Sequence, residues 1–288
     1  MERREFLLAA AAAPFALSAA PRALGAPLGG TPVALVTADL ESEVVVFDLF
    51  STKTVARVRT GPGPRSIEGV LGRTAVIAHT GHGVVSLLDA ARLAVRQELD
   101  GFSAPRYTAV RPPVADAKAP LLAYVTDSSR AEVVTVEVAR GKIISRTAVP
   151  GPARHISISP DGRRIWTALG TTAERVAVLD ADEPRRPRLV RAFLPPFLAH
   201  DVGFAPDGEH AWVTSGSERK IAIYRVDGRR LLRVIGADAP PQHVTFGWRT
   251  IVTPSLGQGT LSVLDRRGRL RAVSRVALAA HDASVLVS

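Results

Sequence analysis

The chain has 288 residues, of which 46% are hydrophobic and 22% are charged, enough for the core of one large all-β domain or of two ordinary domains. It contains no cysteine, which excludes disulfides, thiolate metal sites and cysteine nucleophiles, and its single methionine is Met1. The net charge of +10 comes mostly from arginines spread along the chain, which fits ordinary solvated faces or an anion-binding surface. Aromatic residues are few and no nucleic-acid-binding motif is present, so we expect no nucleic-acid partner.

The N-terminal residues carry the features of an export signal. Arg3 and Arg4 are followed by Phe6 and by an alanine-rich apolar run to about Ala20. This run is too short to span a bilayer stably and lies where the apolar part of a signal peptide belongs. The Arg-Arg-x-Phe-Leu pattern resembles the twin-arginine signal, and small residues predict cleavage after Gly25. We therefore predict three segments: a signal peptide at 1–25, a short linker at 26–32 and a single domain at 33–288.

The alternative for the N-terminus is an ordinary buried helix. The sequence contains no other segment that could cross a membrane, so we expect no transmembrane segment after signal removal. The expected location is the periplasm, the cell envelope or the extracellular medium. Twin-arginine export carries folded proteins, some with a cofactor and some without, so it leaves the cofactor question open.

The rest of the chain repeats one unit of about forty residues. Two copies are "PGPARHISISPDGRRIWTAL" and "PPFLAHDVGFAPDGEHAWVTS", each with an alternating apolar run, a Pro-Asp-Gly turn and a second apolar run. Such alternation predicts half-buried strands joined by tight turns. A third and a fourth run follow in each unit, and the third mostly ends in an Asp that begins the next turn. Second strands are predicted at Val33–Ala38, Thr74–Ala78, Leu121–Thr126, Arg164–Leu169, His210–Ser215 and Thr250–Thr253.

Four antiparallel strands in each unit are the signature of a propeller blade. The unit that begins at Val33 has no first strand before it, whereas a surplus strand follows the sixth unit at the C-terminus. The C-terminal strand is therefore expected to complete the first blade and close the ring. This predicts a monomeric, all-β, six-bladed β-propeller with first strands at Arg65–Val70, Arg106–Val110, His155–Ser159, His200–Ala205, His243–Phe246 and His281–Val287.

The segments "YVTD" at Tyr124–Asp127 and "WVTS" at Trp212–Ser215, together with "ISISPDGRRIW", resemble the YVTN-repeat, YncE-like β-propellers. This group consists of exported bacterial proteins, and the resemblance covers about residues 33–288. It implies the propeller fold and export but does not imply one activity. Blades two and six depart from the pattern because "VLGRT" and "FGWRT" replace the Pro-Asp-Gly turn, and blade three carries the insertion "RPPVADAKAP".

The first strands of a propeller line its central channel, so equivalent residues on them form a ring. Aligned by sequence, one position holds four histidines, with Ser66 and Tyr107 in the other two blades, and the four are His155, His200, His243 and His281. Neutral imidazoles suit Cu or Zn, and the resemblance to nitrous oxide reductase and haem-binding nitrite reductase propellers adds haem as a cofactor. The alternative is that these histidines bond neighbouring carbonyls and only pack the hub.

Three arginines precede that position in blades two to four, namely Arg65, Arg106 and Arg154. Guanidinium groups bind a carboxylate or phosphate through forked, charge-assisted hydrogen bonds. With Tyr107, they are the candidate channel-mouth residues for a small anionic ligand. The alternative is that each arginine pairs with an acid such as Glu68 or Asp201. Asp201 and Asp282 each follow a histidine, and strand alternation predicts that they point into the blade interface.

The sequence contains no nucleophile elbow, no H-E-x-x-H, no phosphate loop and no dinucleotide fingerprint. His79 and His82 are spaced like a metal-chelating pair on a loop, although such a pair alone on a loop is more often plain solvent-exposed polarity. Three functions remain: a scaffold that binds an anionic ligand or a protein partner without catalysis, a metal- or haem-binding redox protein, and a hydrolase or lyase with a channel histidine as general base.

Overall fold

The fold consists of six four-stranded antiparallel sheets. The computed structural model describes residues 32–70, 73–113, 119–170, 173–205, 207–215, 217–236, 245–247, 250–265 and 269–286. These residues contain strands β1 to β24 and no α-helix. None of them belongs to a helix long and apolar enough to cross a membrane.

Each sheet is one blade, and its strands are ordered here from the channel outward. Blade one contains β24 (Ala280–Leu286), β1 (Val33–Ala38), β2 (Glu43–Asp48) and β3 (Lys53–Arg59). Blade two contains β4 (Pro64–Val70), β5 (Thr74–His79), β6 (Val84–Asp89) and β7 (Ala94–Leu99). Blade three contains β8 (Pro105–Val110), β9 (Leu122–Asp127), β10 (Glu132–Glu137) and β11 (Lys142–Ala148).

The second half of the ring has the same plan. Blade four contains β12 (Ala153–Ile158), β13 (Arg164–Leu169), β14 (Val176–Asp180) and β15 (Arg188–Phe193). Blade five contains β16 (Asp201–Phe204), β17 (His210–Thr214), β18 (Lys220–Arg225) and β19 (Leu231–Gly236). Blade six contains β20 (Thr245–Gly247), β21 (Thr250–Ser255), β22 (Thr260–Asp265) and β23 (Leu270–Arg275).

The C-terminal strand closes the ring, and the predicted six-bladed fold is confirmed. β24 pairs antiparallel with β1 in a register that places Val33 opposite Leu286 and Leu35 opposite Ser284. Every residue of β1 is buried, because its two faces pack into the cores on either side of blade one. Its two edges are paired with β24 and β2. A propeller needs such a joint between its first and last blades, since a ring left open exposes unpaired backbone groups along a strand edge.

The turn chemistry explains why the strands end where they do. The Asp at the end of a third strand accepts backbone N–H bonds from the turn it opens, as the Asp48 carboxylate does from Phe50 at 2.7 Å and from Ser51 at 3.1 Å. Asp89 and Asp180 make the same kind of bond. The predicted structural role of these aspartates is therefore confirmed, and it follows from the ability of a short carboxylate to bond its own backbone.

The core lies between the blades, where the faces of adjacent sheets meet. Among the described residues Trp166 is the largest fully buried side chain, and it packs between blades four and five against the rings of Phe193, Phe204 and Tyr224 at 5.5–5.9 Å between ring centres. Its indole N–H donates to the carbonyl oxygen of Val226 at 3.0 Å, so no polar atom of this ring is buried without a partner. Packing of this kind makes the inner ends of the blades a rigid support for the channel.

Candidate functional site

The side chains at the channel mouth are positioned by β-bulges at the start of the first strands. In blades one to four, the pairing of the first strand with the second changes register at this point, as between Pro105 and Thr108 in blade three. In blade three the backbone N–H of Tyr107 donates to the Thr126 hydroxyl at 3.0 Å, and in blade one that of Asp282 donates to Thr37 at 2.9 Å. A bulge re-aims the side chains beside it, and the threonine satisfies the N–H group that leaves the ladder.

The register corrects the alignment of the channel residues. In blade three, Val125 of the second strand precedes Thr126 and pairs with Thr108 of the first strand. The corresponding residue of each second strand pairs, in blades one to five, with Ala283, Ile67, Thr108, Ile156 and Val202. The residues two positions earlier are therefore equivalent, and we call them the mouth ring: His281, Arg65, Arg106, Arg154 and His200. The next residues along form a second layer: Asp282, Ser66, Tyr107, His155 and Asp201.

The prediction that His155 is equivalent to His200 and His281 is thus wrong by one residue. His155 belongs to the second layer together with Tyr107, because it directly precedes Ile156, the residue that pairs with Thr167. His281 and His200 instead lie two residues before the corresponding paired residues of their blades. The fourth predicted histidine, His243, lies outside the described residues. What the structure brings together is five basic or imidazole side chains at one level of the channel, one from each of blades one to five.

The three arginines of the mouth ring lie close enough together for the charges of Arg65 and Arg154 to act on Arg106. The Nε atoms of Arg65, Arg106 and Arg154 are buried and make no hydrogen bond to any described residue. None of the ion pairs between described residues involves these arginines, so the predicted alternative of pairing with Glu68 or Asp201 is not seen. Burial, and next the charges of Arg65 and Arg154, lower the pKa of Arg106 to about 10.

Tyr107 joins the arginines to the imidazoles. Its hydroxyl lies 3.4 Å from Nε2 of His281 and is also hydrogen-bonded to the side chain of Arg65. On the other side of that imidazole, Nδ1 of His281 lies 3.5 Å from the Asp39 carboxylate. Burial raises the pKa of the Tyr107 hydroxyl, and the charge of Arg65 opposes this effect. The hydroxyl is therefore a neutral donor at the edge of the arginine cluster.

The remaining imidazoles continue this arc. The ring of His155 lies 3.7 Å from that of Tyr107 and 4.6 Å from that of His200, measured between ring centres. His155 is buried, with 4% of its surface exposed, whereas His200 is partly exposed at the mouth. His155 therefore packs the hub beneath the mouth, whereas His200 lines the mouth itself.

Two cavities open on the mouth ring. The larger, of about 420 Å³, is lined by Arg65, Tyr107, His200 and His281 and by the β21 end around Leu256. The smaller, of about 180 Å³, is lined by Arg154, Gly170, Leu198, His200 and Ser215. His200 belongs to both cavities. The predicted candidates Arg65, Arg154, Tyr107, His200 and His281 thus line the mouth, and Arg106 lies between Arg65 and Arg154 in the ring.

Two acidic side chains near the ring carried little signal in the sequence. Asp39 follows β1 directly, and burial raises the pKa of its carboxyl although Arg65 opposes the shift. Glu68 lies on the innermost strand β4, where burial, and next the charge of Asp282, raises its pKa to about 8. Asp282 itself accepts the backbone N–H of Ile67 in the next blade at 3.1 Å, which confirms that it points into the blade interface.

The described histidines do not by themselves form a metal site. No group of three or more His, Cys, Asp or Glu side chains suited to a metal ion exists among the described residues. The predicted set of His155, His200 and His281 with His243 stays a prediction, because His243 lies outside the described residues. His79 is not on a solvent-exposed loop: it ends β5 fully buried, and its Nδ1 donates to the Pro62 carbonyl at 3.2 Å. Burial lowers the pKa of this imidazole.

The fold is shared with solved structures at low sequence identity. A hydrazine synthase structure from Kuenenia stuttgartiensis is 17% identical with a TM-score of 0.58, over 84% of this chain and 82% of that one. The dihydro-heme d1 dehydrogenase NirN, in complex with DHE, is 19% identical with a TM-score of 0.56, over 89% of this chain and 56% of that one. A protein of unknown function from Bacteroides caccae is 12% identical with a TM-score of 0.60, over 89% and 99% of the two chains.

No protein-family model and no curated protein sequence matches this chain. At these identities the structural likeness shows the β-propeller fold, on which unrelated functions occur. The function must therefore be argued from the residues of the channel mouth.

Proposed function

We propose that this protein is an exported, YVTN-like β-propeller that binds a small organic anion at the mouth ring, without catalysis of its own. The observation that carries the proposal is the convergence of Arg65, Arg106 and Arg154, whose buried Nε atoms have no partner among the described residues. Buried charges in proteins are normally paired, because an unpaired one loses its hydration without compensation. A bound carboxylate or phosphate would supply a counter-charge to Arg65 and Arg154, which line the cavities of the mouth.

The electrostatics of the ring favour an anion over a neutral ligand. Burial and the adjacent guanidinium groups lower the pKa of Arg106, which shows that the cations already repel one another in a partly dehydrated site. An anion at this position relieves that repulsion and accepts charge-assisted hydrogen bonds, each with a net contribution of about 1.5–3 kcal/mol. Tyr107 adds a neutral donor, since its hydroxyl lies beside Arg65 and His281.

The test is calorimetric titration of the purified mature protein with small carboxylates and with inorganic phosphate. Arg65→Gln, Arg106→Gln and Arg154→Gln each remove one guanidinium, and we expect each to weaken binding of an anion that contacts it by about tenfold or more. Arg92→Gln is the matched control, because the side chain of Arg92 is 83% exposed and far from the channel strands. If the three ring variants bind anions as the control does, the proposal is wrong.

Export rests on the N-terminal pattern, which lies outside the described residues. We propose that the twin-arginine pathway carries the folded propeller across the cytoplasmic membrane. In a cell fractionation experiment, replacing both Arg3 and Arg4 by lysine should retain the protein inside the cell. Secretion of that double variant at the normal level would exclude this route.

A tetrapyrrole is the second candidate ligand. The larger cavity combines two imidazoles, His200 and His281, with the guanidinium of Arg65, and this set suits an iron atom together with an acidic ring substituent. The NirN structure is in complex with DHE, which brings such a ligand into consideration for this chain. The residues that would hold it are His200 or His281 on the iron and Arg65 on a carboxylate; covalent attachment through cysteine is excluded.

Titration with haemin, followed by absorption spectroscopy, tests this second candidate. If a tetrapyrrole is the ligand, the titration should give a sharp, shifted Soret band that saturates at one haem per chain. This band should be lost in His200→Ala or His281→Ala. Binding of simple anions without such a band would leave the first proposal alone.

A further inference from the structure

The mouth ring opens on two cavities, and each has its own arginine. Arg65 lines the larger cavity, Arg154 lines the smaller one, and His200 lines both. In the ring these two arginines stand on blades two and four, with Arg106 of blade three between them. A single carboxylate makes two parallel hydrogen bonds with one guanidinium, so one acidic group does not pair with both Arg65 and Arg154.

The smaller cavity is shaped by a glycine. A Cβ atom added at Gly170 would lie 3.0 Å from Nε of Arg154 and 3.5 Å from its Cζ, so the guanidinium would have to move by a few tenths of an ångström to admit even alanine. The backbone N–H of Gly170 donates to the Pro152 carbonyl at 2.8 Å, which ties the end of β13 to the entry of β12. The absence of a side chain at residue 170 thus lets Arg154 lie along the wall of the smaller cavity, with Nε buried and unbonded among the described residues.

The larger cavity has an apolar side as well as a basic one. Leu256, with 49% of its surface exposed, and Pro254 form the wall contributed by blade six, facing the side lined by Arg65 and Tyr107. A large exposed leucine at the rim of a basic cavity is suited to cover a hydrocarbon portion of a ligand. Inorganic phosphate has no such portion and would leave this wall in contact with water.

We propose that the ligand is an organic dianion: one acidic group is bound by Arg65 in the larger cavity, the second by Arg154 in the smaller, and an apolar body passes His200 and contacts Leu256. This inference rests on the proposed function and specifies its ligand class. Gly170 is the positioning residue for the second acidic group, because it acts through Arg154. Arg106, between the two, contributes to the attraction of both groups.

The experiment compares dicarboxylates with monocarboxylates of the same length, adipate with hexanoate and suberate with octanoate, by calorimetry at constant pH and ionic strength. We expect the dicarboxylate of matching length to bind at least about tenfold more tightly than its monocarboxylate, since a second charge-assisted contact corresponds to a factor of that size. Arg154→Gln should remove this advantage, because it should weaken dicarboxylate binding more than monocarboxylate binding. Arg65→Gln should weaken both.

Gly170→Ala gives an independent test, because the φ angle of Gly170 lies outside the left-handed region and alanine adds no backbone strain. It should reduce the dicarboxylate advantage by shifting Arg154, with a larger loss of affinity for adipate than for hexanoate. Gly203→Ala is the matched control, since a Cβ atom there would meet nothing within 4 Å. If the alanine at residue 170 prevents folding, as judged by the urea midpoint, Arg154→Gln alone decides.

The outcomes separate this inference from the proposed function. Equal affinity for adipate and hexanoate, and for suberate and octanoate, would overturn the two-group inference and leave the anion site in place. A dicarboxylate advantage that survives both Arg154→Gln and Gly170→Ala would also overturn it. Absence of binding by every member of the series would refute the proposed function as well.

Discussion

Replacing Glu68 by glutamine removes a carboxyl group from the innermost strand of blade two. Burial, and next the neighbouring charge of Asp282, raises the pKa of this carboxyl from 4.5 to about 8 in the folded protein. A raised folded-state pKa means that the native protein binds a proton which the unfolded chain releases. The stability that the protonated Glu68 contributes is therefore complete below pH 4.5 and decreases as the pH rises towards 8.

The magnitude follows from proton linkage. With a pKa of 4.5 in the unfolded chain and about 8 in the folded protein, ionisation of the unfolded chain favours unfolding by about 0.8 kcal/mol at pH 5 and about 3.4 kcal/mol at pH 7. Glutamine cannot ionise, so Glu68→Gln removes this difference of about 2.5 kcal/mol between the two pH values. Glu68 is only partly shielded from solvent, so we expect the stability of Glu68→Gln relative to the wild type to increase by about 2 kcal/mol between pH 5 and pH 7.

Urea unfolding of the wild-type protein and of Glu68→Gln at pH 5, 6, 7 and 8 gives the free energy of unfolding of each protein at each pH. The quantity to compare is the difference between the two proteins and its change with pH. All other titrating groups are common to both proteins and cancel. Glu209→Gln is the control because Glu209 is exposed beside a turn. The reasoning is refuted if the free energy of unfolding of Glu68→Gln minus that of the wild type is independent of pH, or if this difference decreases as the pH rises.

Three further predictions concern the fold that supports the site. Trp166→Ala should lower the free energy of unfolding by about 3–5 kcal/mol in urea denaturation, because it empties the space between blades four and five; a loss below about 1 kcal/mol would show that the blades collapse around the gap. Thr126→Val keeps the side-chain shape but leaves the buried Tyr107 N–H without its acceptor. We therefore expect the free energy of unfolding to fall by about 1–3 kcal/mol and the affinity for anions at the mouth to weaken. Unchanged affinity would mean that the bulge does not depend on this hydrogen bond. Truncation after residue 279 removes β24 and uncovers the edge of β1; we expect aggregation in light scattering, and a monomeric, cooperatively unfolding truncated chain would contradict the closing role of this strand.

The architecture could be predicted from the sequence because local chemistry carries it. Alternating apolar residues define each strand, and the aspartates and glycines of the turns define where it stops. The predicted second strands Val33–Ala38 and Arg164–Leu169 have the observed bounds. The surplus C-terminal strand required a partner, and β1 was the only strand of the repeat pattern that lacked one.

The composition of the channel mouth was predicted in part. Arg65, Arg106, Arg154, Tyr107, His200 and His281 were identified because the first strands of a propeller converge on its axis. Gly170 and Asp39 were missed, since a residue after a second strand has no repeated pattern that points to the mouth. Their roles depend on which arginine or histidine the neighbouring loop brings within contact distance.

The sequence by itself determined the strands, their turns and the number of blades, because these depend on side-chain alternation and backbone preferences within a few residues. It could not determine the level of each side chain in the channel. A β-bulge inserts a residue into one strand and shifts every later contact, and whether it forms depends on pairing with the neighbouring strand. Only the tertiary structure therefore placed His155 beneath the mouth and joined His281, Arg65, Arg106, Arg154 and His200 in one ring.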